Sequence, residues 1–281
     1  MTVRELVVDL FAEHLDPVTD RPVRLRSLVE LLEALDVAEP TTRMTTAALR
    51  RAGWLAASRR GRETLYSPTE VLRDAVRTRW ARLDERLGPW DGRWRVVIYT
   101  VPETDRAARE RVRRTLTRHG FGPLAPATWL SPHRVALDDV RTDLAGEPIS
   151  RLDLLTAQLT PETGGSDVDL AARCWDLHGV AAAYRQEIEH LRAVLAGPEP
   201  DGRQALVSHL RTLGRVRRVA VGDPMLPDAL RPPGWPGNEL REVWSEFCAA
   251  VVEPARRYVA ELLGGHDRPR PDQRWTVDMS G

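Results

Sequence analysis

The basic residues best suited to chemistry lie close together between Val37 and Pro68, in the sequence VAEPTTRMTTAALRRAGWLAASRRGRETLYSP. A guanidinium group can pair with two phosphate oxygens at once, so clustered arginines favour the backbone of a nucleic acid. Three of them, Arg59, Arg60 and Arg62, fall at the tip of a predicted hairpin, where they contribute little to the stability of a fold. The segment therefore predicts contact with duplex DNA.

A helix that could read base edges is predicted from Pro40 to Ala52. Proline suits the first helical position because it has no N–H to lose, and Gly53 suits the left-handed position just past a helix end. At about 100° per residue the helix has two faces. We expect one face to dock against the domain: Met44, Ala48, Leu49 and Ala52. We expect the other face to meet the major groove: Thr42, Arg43, Thr46, Ala47 and Arg50.

A short hairpin follows, with strands at Leu55–Ser58 and Glu63–Ser67 and an arginine-rich turn at 59–62. Amphipathic helices are predicted upstream, at Val3–His14 and Leu25–Leu35. Three helices and a wing in this order indicate a winged helix-turn-helix, and they outweigh the alternative that each part is only a solvated surface. The expected DNA contacts are Thr42, Arg43, Thr46, Arg50, Arg59, Arg60 and Arg62, with Arg24, Arg26 and Ser27 fixing the register on the phosphate backbone.

The composition of the 281 residues limits the other possibilities. Arginines and acidic residues balance at 41 each, so any DNA affinity must come from a local patch. Cys174 and Cys248 lie far apart and form no metal spacing, although the sequence does not exclude a disulfide between them. No stretch has the length and apolar character of a signal core or a membrane span, so we expect a cytoplasmic protein.

Beyond the hairpin the pattern predicts a connecting helix and then a small ferredoxin-like unit. The predicted elements are helix Thr69–Leu87, strand Trp94–Val101, helix Glu103–His119, strand Leu124–Leu130, helix Leu137–Leu144 and strand Leu152–Leu159. A loop at 161–166 leads to helical sequence at Asp167–Leu195, Arg203–Leu213 and Glu239–Leu263, interrupted by a proline-rich segment at 221–237. We therefore predict an α+β protein with domains at 1–87, 88–165 and 166–265 and a disordered tail at 266–281.

Several motifs in fixed order resemble the PaaX family of bacterial repressors of phenylacetate catabolism. They are WDGRWRVVIYTVPETDRAARERVRRTLTRHGFGPLAPATWLSPH (Trp90 to His133), DLAARCWDL (Asp169 to Leu177) and GDPMLPDALRPPGWPG (Gly222 to Gly237). The resemblance implies a winged helix domain, a ferredoxin-like domain related to a CRISPR adaptation nuclease, and a helical C-terminal domain. It also implies a homodimer on a palindromic operator, released by an aryl-CoA thioester such as phenylacetyl-CoA.

The resemblance transfers only some site residues. Gly53, Trp54 and Leu55 match the end of the family's recognition helix, and Arg60-Gly61-Arg62 and Tyr66 match its wing. The Val-Arg pair that opens the family's recognition helix is Thr42-Arg43 in this chain, so the arginine is present and the valine is replaced by threonine. The base-reading face departs most, so no operator sequence can be carried over.

A nuclease and a protein-interaction module remain as alternative functions. The related nuclease fold has an aspartate at the end of its first strand, whereas this chain has Tyr99-Thr100-Val101-Pro102 there, with no carboxylate before Glu103. Cys174 and His178 could offer half a metal site on one helix, but no second pair has ligand spacing. We therefore expect neither catalysis nor a metal.

A CoA effector would need cations for its phosphates and an apolar slot for its acyl group. Arg106, Arg109 and Arg113 repeat at helical spacing, and we combine them with Trp94, Trp129 and Trp235 as a candidate effector site. The simpler interpretation is a solvated helix face whose arginines pair with Glu103 and Glu110.

Overall fold

The computed structural model describes residues 1–16, 19, 21–86, 89–160 and 165–264 of an α+β chain with two antiparallel sheets. The chain forms two compact units. The first combines Met1–Trp80 with Ala183–Val221 and the described residues from Pro236 onward. The second combines Ala81–Ala182 with Gly222–Trp235. The α+β prediction is confirmed.

The N-terminal part of the first unit alternates helices with a small sheet. Its elements are α1 (Val3–Leu10), a π-helical segment (Phe11–Leu15), β1 (Val23–Arg24), α2 (Leu25–Glu33), α3 (Glu39–Arg51), β2 (Leu55–Arg60) and β3 (Glu63–Pro68). The sheet order is β1-β3-β2, with Val23 opposite Tyr66 and Arg60 opposite Glu63. A capping box of Thr2 and Glu5 starts α1. Helix α4 (Glu70–Arg86) follows, and the predicted end of this helix at Leu87 lies outside the described residues.

The apolar positions that predicted the first two helices form the core of this part. Leu6, Val7, Leu10 and Phe11 are buried on α1 and the π-helical segment. On α2, the buried apolar side chains are Leu28, Val29, Leu31 and Leu32. On α2 their spacing at i, i+3 and i+4 puts them on one side, which confirms that predicted amphipathic helix. The predicted first helix is also present, but every residue from Leu6 to Leu15 is buried, so it is not exposed on one side as expected.

The second unit contains a four-stranded sheet. Its elements are β4 (Trp94–Thr100), α5 (Arg106–Arg118), β5 (Gly122–Ala125), β6 (Thr128–Ser131), α6 (Leu137–Leu144), β7 (Arg151–Ala157) and α7 (Asp167–Cys174). The single strand predicted at Leu124–Leu130 is wrong, because Ala127 has a φ of 58° and turns the chain between β5 and β6. The resulting β-α-β-β-α-β order, with strands arranged β5-β6-β4-β7, is the ferredoxin-like arrangement.

The two faces of this sheet bury different side chains. Val97 and Trp129 pack with α5 and α6 on one face, in a cluster that includes Val112 and Leu144. Val96 belongs to a second cluster, which α7 covers together with Leu226. Neighbouring residues of β4 point to opposite faces, as in any strand.

The C-terminal helices are α8 (Leu177–Leu195), α9 (Gly202–Gly222) and α10 (Gly237–Leu262), with a short 3-10 turn at Asp228–Leu230. The predicted continuous helix from Asp167 to Leu195 is broken at Trp175, which is extended (φ −138°, ψ 148°). The proline-rich segment is non-helical from Asp223 to Pro236 apart from its short turn, and its ends at 221–222 and 237 belong to α9 and α10. None of the helices in the described ranges is long and apolar enough to cross a membrane.

Helices α9 and α10 pack with the N-terminal elements inside the first unit. Arg217 Nη2 lies 2.7 Å from Asp9 Oδ1, and the Arg256 guanidinium donates to the Glu13 carbonyl. The structure groups the chain into two compact units, and the predicted division into three domains at 1–87, 88–165 and 166–265 remains a prediction. The predicted tail at 266–281 and most of the predicted loop at 161–166 lie outside the described residues.

Candidate nucleic-acid interface

The orientation of α3 decides which of its side chains can meet a ligand. Thr42, Thr46 and Leu49 form its buried side. The Thr46 hydroxyl donates to the Thr42 carbonyl at 2.9 Å, so it needs no water. The prediction that Thr42 and Thr46 face a groove is therefore wrong.

The predicted docking face of α3 is also corrected. Leu49 is buried as expected, but Met44 is 66% exposed and Ala48 and Ala52 are exposed as well. The hydropathy pattern assigned threonines outward and methionine inward. In the structure both threonines are buried, and Thr46 satisfies its hydroxyl within the helix, whereas Thr42 Oγ1 has no hydrogen-bond partner among the described residues. The helix is therefore rotated relative to that expectation.

The outward side of α3 carries arginines around an apolar centre. Arg43, Arg50 and Arg51 are exposed. Arg43 pairs with Glu39 one turn earlier, with Nη2 at 2.6 Å from Oε1. An exposed pair of this kind contributes little to stability, so Arg43 can exchange its carboxylate for another anion. Arg51, which the sequence pattern did not single out, and Met44, which it placed on the docking face, also belong to this surface.

The hairpin presents the arginines predicted for it. Arg59 and Arg60 lie on β2 and Arg62 lies in the turn, and all three are exposed. The turn is tighter than the predicted 59–62, because Arg60 pairs directly with Glu63 and only two residues connect the strands. Gly61 makes this possible with a φ of 64°, a left-handed conformation that glycine adopts without strain.

At the start of α2, two of the three residues predicted to contact DNA are exposed. Arg24 and Arg26 are exposed, and Arg24 Nε lies 3.2 Å from Glu63 Oε2 on the hairpin. Ser27 is only 7% exposed, so its predicted role at the DNA backbone is corrected: its side chain belongs to the packed side of α2.

The base of the hairpin is fixed to the helices. The guanidinium of Arg4 lies 4.8 Å from the centre of the Trp54 ring, which is a cation–π distance. The Thr69 hydroxyl donates to the Gly53 carbonyl at 2.7 Å. These contacts hold the chain where it leaves α3 and where it re-enters a helix, so the hairpin arginines project from a fixed base.

The six residues predicted for an effector do not form one site. Trp94 is buried, and its indole N–H donates to Asp167 Oδ1 at 2.8 Å. Trp235 packs against the same cluster as Trp94, whereas Trp129 lies on the opposite face of the sheet. The rings of Trp94 and Trp129 are both held in the core, on opposite faces of the sheet. The prediction that the six residues form a single effector site is therefore wrong.

Two of the three α5 arginines predicted for an effector lie on the outward side of the helix, whereas Arg109 is half-buried. Arg106 and Arg113 are exposed, and Arg109 Nη2 donates to the Glu103 carbonyl at 2.8 Å. The buried side of α5 consists of Ala108, Val112 and Leu116. The contact with Glu103 involves its backbone rather than the predicted carboxylate.

Within the described ranges no group of three or more His, Cys, Asp or Glu side chains is placed to hold a metal ion. Cys174 ends α7 and His178 lies on α8, so the break at Trp175 removes them from a common helix. Both cysteines are free thiols. Burial raises the pKa of Cys174 and of Cys248 to about 12, so both stay protonated near neutral pH.

Comparison with known proteins covers most of the chain. Residues 2–72 match a family model described as PaaX-like protein, residues 87–170 match the PaaX protein central Cas2-like domain, and residues 175–261 match the PaaX-like protein C-terminal domain. The transcriptional repressor PaaX of Escherichia coli K12 is 29% identical over 246 residues, which is 84% of this chain and 77% of that protein.

A solved structure shares the fold over nearly the full length. It is the uncharacterised protein Rv0674 of Mycobacterium tuberculosis, with a TM-score of 0.66 and 25% sequence identity, covering 92% of this chain and 98% of the other. Helices, a small sheet and a second antiparallel sheet in this order define an α+β protein. With all three family models matched in order, the chain belongs to the PaaX family.

Proposed function

We propose that this chain is a DNA-binding transcriptional repressor that grips duplex DNA with a winged helix-turn-helix. In this arrangement α3 enters the major groove, and the β2–β3 hairpin, as the wing, holds phosphates or enters the adjacent minor groove. One observation carries the proposal: exposed arginines lie on both α3 and the hairpin that follows it. The name of the Escherichia coli relative supports the same function.

The corrected contact set follows from exposure. Arg43, Arg50 and Arg51 on α3 face the groove, and Arg59, Arg60 and Arg62 hold phosphate. Arg24 and Arg26 fix the register from the start of α2. Thr42, Thr46 and Ser27 support the packing instead.

The finer features follow from the family resemblance. The repressor binds a palindromic operator as a homodimer in the cytoplasm, and an aryl- or acyl-CoA thioester releases it. It has no catalytic role. A mobility shift on the promoter region with a panel of acyl-CoA thioesters tests the release. If no thioester in the panel releases the protein from the DNA, this effector class is wrong.

A salt titration of DNA binding tests the central proposal. Arg60→Ala removes a phosphate contact, so it should weaken all duplexes alike and reduce the slope of log affinity against log salt by about 1. Arg43→Ala should cost about 1 to 3 kcal/mol on the cognate site and relax discrimination at one operator position.

Arg114→Ala on the exposed side of α5 is the matched control, because it removes the same charge from the second unit. It should leave the titration unchanged. If Arg43→Ala and Arg60→Ala bind DNA like the control, the assigned surface is wrong.

Two other functions predict different outcomes. A nuclease is worth testing because the central family model is described as Cas2-like, and incubation with Mg²⁺ or Mn²⁺ would then degrade nucleic acid. A protein-interaction module would show no salt-dependent DNA affinity at all.

A further inference from the structure

The outward side of α3 has an apolar centre. Met44 is 66% exposed, the highest exposure among the large apolar side chains in the described residues. Ala47 and Ala48 lie one turn further on, at i+3 and i+4, and Pro40 lies one turn before. These residues lie on the side away from Thr42, Thr46 and Leu49, which the core holds.

An exposed methionine in this position has no role in the core of the first unit. Its thioether chain is flexible and adapts to an irregular apolar surface. The two alanines beside it are short, so they allow another molecule to approach the helix backbone closely. The stripe therefore has the properties of a contact surface.

The charges around the stripe restrict what can cover it. Arg43 and Arg51 flank it, and Arg50 lies further along the same helix. Glu39, the one carboxylate of α3, is already paired with Arg43. A second copy of this arginine-rich surface would be repelled, and a polyanion that also offers small apolar groups would be attracted. Duplex DNA has both properties, because the C5-methyl groups of thymine point into the major groove among the phosphates.

We propose that Met44, with Ala47 and Ala48, selects operator positions that carry thymine by packing on the C5-methyl group in the major groove. This inference rests on the proposed function, in which α3 enters that groove. The arginines then supply affinity and guanine or phosphate contacts, and the apolar stripe supplies discrimination at A·T pairs.

The size of the effect follows from the burial of a single methyl group. Removing one methyl group from a buried contact changes affinity about fourfold. An acidic protein partner would be the competing occupant of the same stripe, and it would make Met44 irrelevant to the base sequence.

The experiment uses the full chain and a randomised duplex library. Bound duplexes are selected at low salt. In the duplex that binds most tightly, each thymine is then replaced in turn by deoxyuridine, which lacks only the C5-methyl group. The wild type should lose about fourfold in affinity at one or more of these positions. Met44→Ala and Met44→Gln should bind the thymine duplex more weakly and should not distinguish it from the deoxyuridine duplex.

Val71→Ala provides the matched control, because Val71 is also an exposed apolar residue of the first unit, at 53% exposure. This variant should retain the deoxyuridine effect. Unchanged thermal unfolding of all three variants would confirm that these exposed side chains are not needed for folding.

The outcomes separate the inference from the proposed function. If the wild type selects no duplex, both fail. If it binds duplexes with salt dependence but deoxyuridine costs nothing, or costs the same in Met44→Ala, only the thymine contact is overturned.

Discussion

A hydrogen bond joins two buried histidines of the first unit. His14 Nε2 and His209 Nδ1 lie 2.8 Å apart, with the rings edge to face. One ring must donate and the other must accept, so at most one of the two imidazoles can be protonated. The other nitrogen of His14, Nδ1, is buried without a hydrogen-bond partner in the described part of the chain.

Burial and nearby positive charge keep the pair neutral. Burial and, to a smaller extent, the positive charge of Arg256 lower the pKa of His209 to about 3. Burial is also the largest cause that lowers the pKa of His14 well below its usual value. His209 and Arg256 lower the pKa of His14 in the same direction, with smaller effects. Glu13, whose carbonyl Arg256 contacts, and the Cys248 thiol also lie near the pair. Protonating either ring would therefore place an unpaired charge in the core.

The pair predicts that stability falls in mild acid. Unfolded imidazoles bind protons below about pH 6.5, but the folded pair does not, so the unfolded state gains protons and stability is lost from about pH 6.5 downward. At about pH 5 His209 alone should lower the free energy of unfolding by about 2 kcal/mol relative to neutral pH, and His14 acts in the same direction. Urea denaturation at several pH values measures the slope.

Two variants make this test specific. Replacing both histidines with leucine should flatten the pH dependence between about pH 7 and about pH 5, whatever its effect on absolute stability. His178→Ala removes an exposed histidine on α8 and should keep the wild-type slope. A double variant as sensitive to acid as the wild type would show that other groups cause the loss.

Individual elements were easier to predict than their orientation. The bounds of α3 and of the β2–β3 hairpin follow from proline, glycine and hydropathy signals that act within a few residues. The rotation of α3 did not follow, because Thr46 satisfies its hydroxyl inside the helix and Met44 is left outside. The polarity of a residue alone does not show whether its hydroxyl bonds to water or to a backbone carbonyl of its own helix.

The same limit explains the errors in the second unit. The hairpin between β5 and β6 needs Ala127 in a left-handed conformation that alanine seldom adopts, so its sequence gives no turn signal. The effector cluster failed because Trp94 and Trp129 lie on opposite faces of the sheet. Motifs that follow each other closely in sequence can be separated by a sheet.

The contact between β5 and the end of α7 requires a glycine. A Cβ atom on Gly122 would lie 2.8 Å from the Cys174 carbonyl oxygen and would also overlap the Trp175 ring. Both neighbours are held in the core cluster of the second unit, so they cannot move freely. Gly122 therefore marks a position of close packing.

Gly122→Ala should lower the free energy of unfolding by about 1 to 3 kcal/mol through overpacking. Gly146→Ala is the control, because a Cβ atom there would meet nothing within 4 Å and its φ is not in the left-handed range. Chemical denaturation of the two variants beside the wild type measures the difference. Equal stability of the two would mean that the contact with Trp175 relaxes without cost.

At the scale of the whole molecule, the first unit is discontinuous in sequence. Helices α9 and α10 contribute Arg217 and Arg256, which contact the carboxylate of Asp9 and the carbonyl of Glu13. The π-helical segment packs against α10, and His209 of α9 stacks on Trp244 of α10 at 5.9 Å. The N-terminal elements therefore depend on helices that follow more than a hundred residues later in the chain.

This dependence predicts that an isolated N-terminal fragment is unstable. Residues 1–86 alone would expose the faces of Phe11, His14 and Leu15, which are buried in the full chain. Exposing a large apolar side chain costs about 1.5 to 3 kcal/mol, and a domain has only about 5 to 15 kcal/mol in total, so a few such losses are decisive. The fragment should melt without a cooperative transition in circular dichroism and should bind DNA far more weakly than the full chain.

Adding residues 177–264 in trans should restore part of the cooperativity, because it returns α9 and α10 to their contacts. A fragment that unfolds cooperatively by itself, close to the midpoint of the full chain, would show that the first 86 residues fold independently and that α9 and α10 only cover them.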